Sequence, residues 1–77
     1  MVHGDDWRVK AQADIEEMER MQTHAYERRT DLMQRYAHHS SRKVRSQLGR
    51  IVSRLDYEID AYGKHIDALC DRLDSAE

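Results

Sequence analysis

The sequence predicts an all-α chain folded as an antiparallel coiled-coil hairpin of two long helices. One long uninterrupted coiled-coil helix is the alternative. Three observations lead there. The 77 residues include no proline and only three glycines, while thirteen Lys and Arg and fifteen Asp and Glu make 36% of the chain charged. Such a composition belongs to continuous helix, and the turn chemistry that strand folds need is missing. Apolar residues recur at spacings of three and four, the coiled-coil signature. The one candidate break, His38-His39-Ser40-Ser41, falls at the middle of the chain.

The elements follow in order. Residues 1–5 read as a short tail before a single helical domain over 6–77. Gly4-Asp5-Asp6 is a start signal, because Asp accepts from the free N–H groups of a first turn and its charge suits the positive helix end. The first helix is expected over about 6–38. Ile15, Met18, Ala25, Leu32 and Tyr36 hold a heptad frame in which Gln22 and Arg29 occupy a positions. Met21, Tyr26, Met33 and Ala37 form a second apolar flank, which suits a helix touching two neighbours. The four methionines read as adaptable packing.

A turn at 39–41 rests on serine, which competes for backbone hydrogen bonds and favours caps. Against it, neither Gly nor Pro is present, and Arg42-Lys43 are unfavourable charges at a helix start. The second helix is expected over about 42–75. Ile59, Ile66 and Leu73 take a, and Tyr62, Leu69 and Ala76 take d. Upstream, Leu48, Ile51 and Leu55 continue the stripe, with Val44 before them. The two successive steps of four from Ile51 to Leu55 to Ile59 read as a stutter, which locally unwinds a left-handed supercoil. Two such arms make a hairpin of roughly 50 Å, and a single helix would run to about 110 Å at 1.5 Å per residue.

The net charge of −2 hides three blocks. Residues 1–27 carry −4, residues 28–54 carry +7 and residues 55–77 carry −5. A hairpin folded at 39–41 lays acid on acid. A parallel dimer pairs each block with its own copy, an unstaggered antiparallel dimer has nearly the same defect, and every symmetric arrangement is expected to match like with like. Screening over about 8 Å keeps the penalty modest. The block arithmetic therefore favours a different protein chain, or a polyanion at the basic middle, over a homo-oligomer.

Chemistry-bearing patterns are few. Arg28, Arg35 and Arg42 lie seven apart, as if on one helical face, with Lys43, Arg45, Arg50 and Arg54 beyond. They offer phosphate contacts, although only Tyr36 interleaves with them and no zinc-finger, helix-turn-helix or RNP pattern occurs. The plainer reading is a solvated face or pairing to an acidic helix. His38 and His39 are adjacent, so they diverge by about 100° on a helix and lack metal-ligand spacing. His39 falls on the looser seam, where charging it would perturb packing. Asp60, Asp67 and Asp74 repeat at one b position, which reads as a solvated face. The glycines are isolated, so no phosphate loop is expected. Gly49 and Gly63 read as tolerated defects or points of close approach. Trp7 is expected to pack on the far helix end or to anchor a partner. The single Cys70, at e, excludes an internal disulfide framework.

No run reaches the roughly 20 apolar residues of a membrane span, and Met1–Asp6 has no signal-peptide character. An intracellular, cytoplasmic location is expected. No catalytic residue, metal site, cofactor or small-molecule substrate is expected. The functional expectation is a non-enzymatic interaction subunit or adaptor that meets a partner chain along a seam. The seam comprises Leu48, Ile51, Leu55, Ile59, Tyr62, Ile66, Leu69 and Leu73, supported by Ile15, Met18, Leu32 and Tyr36. The alternatives are nucleic-acid or polyanion binding through Arg28, Arg35, Arg42, Lys43 and Arg45, and a helical regulator whose oligomerisation follows histidine protonation.

Overall fold

The computed structural model describes the backbone of residues 3–75 and the side chains of residues 6–75. Helix α1 (His3–Tyr36) and helix α2 (Arg42–Ser75) each span 34 residues and pack against each other as an antiparallel hairpin. The molecule is a rod with principal extents of 63 × 15 × 13 Å. That length rules out the uninterrupted helix. α1 takes in the Gly4-Asp5-Asp6 start signal, and the side chain of Asp5 lies outside the described residues, as does Ala76.

The break falls where serine and histidine cluster, but α1 ends at Tyr36, two residues before the expected boundary. The Ala37 N–H donates to the Met33 carbonyl at 3.1 Å, and the His39 N–H donates to the Tyr36 carbonyl at 3.1 Å. This tightening to an i→i+3 bond is a common way for a helix to close. Ser41 then caps α2. Its Oγ accepts from the Val44 N–H at 3.3 Å, and its carbonyl accepts the first helical bond from the Arg45 N–H at 3.1 Å. The Ser41 N–H donates to His39 Nδ1 at 3.0 Å. The Arg45 guanidinium reaches back to the His39 carbonyl, so one cation of the new helix start is spent on the turn. Among the described residues none has positive φ. The turn therefore needs no glycine, which is why the usual turn residues are missing from it.

The helices meet along one seam. From α1 it takes Ala11 and Ile15, half-buried Met18 and Gln22, then Ala25, Arg29 and Leu32. From α2 it takes Leu48, half-buried Val52, Leu55 and Ile59, then half-buried Tyr62, Ile66, Leu69 and Leu73. Ala25, Leu55 and Ile59 form the central cluster, with Leu32 packed on it. The stutter expected in α2 does not occur. Ile51 is 41% exposed, and Val52 turns inward. The steps from Leu48 to Leu73 then alternate four and three without interruption. Ile51, at g, looked like a seam residue only because it is the larger of two adjacent aliphatics.

Candidate protein interface

Two polar a positions on α1 are matched from α2. Gln22 Nε2 donates to the Ile59 carbonyl at 3.1 Å across the helix pair. Gly63 makes room for it, since a Cβ there would stand 3.3 Å from Gln22 Nε2. What approaches Gly63 closely is thus a side-chain amide rather than a second backbone. Gly49 faces open space, with nothing within 4 Å of a Cβ built on it. Arg29 Nε pairs with Asp56 Oδ1 at 2.6 Å. At the base of the hairpin Trp7 is half-buried, with the guanidinium of Arg72, from the far helix end, 5.8 Å from its ring centroid. Arg8 lies 5.5 Å from the same ring.

Ten of the twelve expected seam residues lie between α1 and α2 and are occupied by each other. Ile51 and Tyr36 remain exposed. The second apolar flank of α1 divides. In an antiparallel pair the two g rows lie on one side of the seam and the two e rows on the other. Met21 takes g, whereas Tyr26 and Met33 take e, on the opposite side; all three are exposed.

The g side mixes apolar with charged residues. Running from base to turn it holds Trp7 and Arg72, Asp14 and His65, Met21 and Glu58, Arg28 and Ile51, then Arg35 and Val44. Toward the turn it opens into a cleft of about 210 Å³ lined by Leu32, Tyr36, Val44, Gln47, Leu48 and Ile51. The e side carries Gly49, Asp56, Gly63 and half-buried Cys70 on α2.

The basic residues do not form the single face that their spacing of seven implies. Arg28 and Arg35 sit on α1 and Arg42 opens α2 across the turn. Together with Lys43 and Arg45 they crowd the turn end of the rod. Arg35 pairs with Asp31 at 2.9 Å. Among the described residues Arg28, Arg42, Lys43, Arg50 and Arg54 make no ion pair. His39 lies exposed in the connection rather than on the seam, its ring 6.4 Å from that of Tyr36. Asp60, Asp67 and Asp74 are exposed, and Asp60 pairs with Lys64 at 3.0 Å. Among the described residues no three His, Cys, Asp or Glu side chains converge as a metal site would require, and no helix is long and apolar enough to cross a membrane. No family model, curated protein or solved structure matches the chain.

Proposed function

We propose that the chain is a non-enzymatic interaction subunit that associates with another protein chain through the g side of its hairpin, where Met21 and Ile51 stand exposed and the apolar cleft opens. The observation that carries this reading is incomplete burial. The accessible surface is 6283 Å², against about 4,900 Å² for a compact monomer of this mass. The buried core is six residues, two of them alanine, and among the described residues no large side chain is fully buried. A two-helix rod with so little core is marginal alone, and chains of this size ordinarily gain their remaining stability from a partner.

The test separates seam from flank. Ile59→Asp places a charge in the central cluster and should abolish helicity by circular dichroism. Ile51→Asp should leave helicity intact and abolish association measured by sedimentation and affinity capture. Association retained by Ile51→Asp overturns the reading.

The crowding of unpaired cations at the turn end supports a second reading, in which that end binds a polyanion. Each phosphate contact would make affinity fall steeply with salt. Gel mobility shift with RNA and DNA at 50 and 200 mM salt tests it: no shift at either concentration removes it, and Arg42→Gln with Lys43→Gln should weaken any shift seen.

A further inference from the structure

The charge blocks change meaning once the chain is folded. As a linear string, acidic–basic–acidic pairs badly with itself. As a hairpin, residues 3–27 and 55–75 run side by side toward the base and 28–54 gathers at the turn. The rod is therefore polar along its axis, with +7 gathered toward the turn and the −9 of the acidic blocks spread over the remaining length to the base. A second copy turned end for end lays each basic turn end on the acidic base of the other and leaves the acidic middles facing each other.

We infer that the partner is a second copy of this chain, packed antiparallel on the g side to give a four-helix bundle whose dyad passes near Met21. This rests on the proposed association through that side and names its occupant. Spacing supports it. Trp7 and Arg35 stand fourteen residues on either side of Met21, about 21 Å along the helix. Arg72 and Val44 stand equally far on either side of Glu58 in α2. A face-to-face antiparallel dyad sets α1 on α1 and α2 on α2.

Asp14 then meets Arg28 of the other copy, twice. The two Met21 side chains, 46% exposed in one hairpin, meet each other at the centre. Ile51 meets His65. Trp7 of one copy arrives at the turn-end cleft of the other, where Tyr36, Val44, Leu48 and Ile51 offer an apolar seat and Arg35 a cation for its ring. The unfavourable matches are Val44 with Arg72 and Glu58 with its own copy; Arg28 and Arg54, lining the same groove as Glu58, offset the second. A stable interface removes about 800 Å² from each partner, and each rod exposes roughly 1,400 Å² more than a compact chain of its mass.

The experiment uses the purified full chain with Cys70→Ser to remove the native thiol. Sedimentation equilibrium should give a dimer that weakens as salt rises from 50 to 500 mM. Ile51→Asp should weaken it at least about 30-fold, in line with loss of an interface hot spot, with helicity kept. Trp7 emission should shift to the blue on dimerisation. To fix the orientation, a chain bearing Asp14→Cys is mixed with one bearing Arg28→Cys under mild oxidation. The mixed disulfide should dominate, and Asp14→Cys alone should crosslink poorly. A monomer up to 100 µM overturns the inference, as does preferential crosslinking of Asp14→Cys to itself, which marks a parallel pair. A monomeric pure chain that captures a different protein through Ile51 overturns the self-association and leaves the interaction-subunit reading standing.

Discussion

Two glycines in one helix interior have opposite surroundings, and the difference is measurable. Glycine costs about 1 kcal/mol relative to alanine inside a helix. At Gly49 a methyl group enters open space, so Gly49→Ala should stabilise the hairpin by close to that amount, seen as a Tm increase of several degrees. At Gly63 the same methyl group meets Gln22 Nε2 at 3.3 Å and loosens its bond to the Ile59 carbonyl. Gly63→Ala should gain less than half as much or lose stability. Equal gains at both positions would show that the Gln22 contact contributes nothing. Arg29 and Asp56 are close, at 2.6 Å, but their side chains are 37% and 52% exposed. Solvent screening limits such a pair to about 0.5 kcal/mol. A double-mutant cycle with Arg29→Gln and Asp56→Asn in urea should return a coupling of that size, decreasing with salt.

At the scale of the element, the turn and the seam decide different things. Ser41 is the N-cap of α2, and Ser41→Ala should cost about 1 kcal/mol of stability in urea denaturation. The effect should be confined to unfolding free energy, because Ser41 lies far from the base and from Met21. In the seam, Val52 and Ile51 exchange the roles that their sizes suggest. Val52→Ala should destabilise by about 1 kcal/mol through lost burial. Ile51→Ala, at an exposed g position, should change stability of the single hairpin by less than about 0.5 kcal/mol. The reverse order would restore the stutter. From sequence, the two helix types, the central break and the a/d positions of the second helix from Ile59 onward were legible, because three-four spacing has one physical cause. The choice between Ile51 and Val52 was not, since both are β-branched aliphatics and only the facing helix selects the inward one. Nor did any local signal pair Gln22 with Gly63, which lie 41 residues apart.

For the whole molecule, length and charge act together. Folding the chain in half brings like charges into register at each end, a cost that salt reduces. In the Ile51→Asp variant, whose association is removed, raising NaCl from 50 to 500 mM should raise Tm by an amount equivalent to about 1 kcal/mol. A fall in Tm would mean that favourable pairs such as Arg29–Asp56 outweigh the repulsion between blocks. The same fold that creates this repulsion within the chain creates complementarity between chains, since it turns three blocks into two poles. Composition and periodicity alone determined that this protein is helical and that its apolar material is too thin for a substantial core, while the serine–histidine cluster offered a break at the middle without excluding one long helix. Those are local properties, carried by backbone propensity and by spacings of three and four. The tertiary structure decided which apolar residues face inward, which remain exposed beside the seam, and that the acidic ends share one end of a rod. Those depend on what lies across the helix pair, and residues half a chain apart come together only when the turn at Ala37–Ser41 closes.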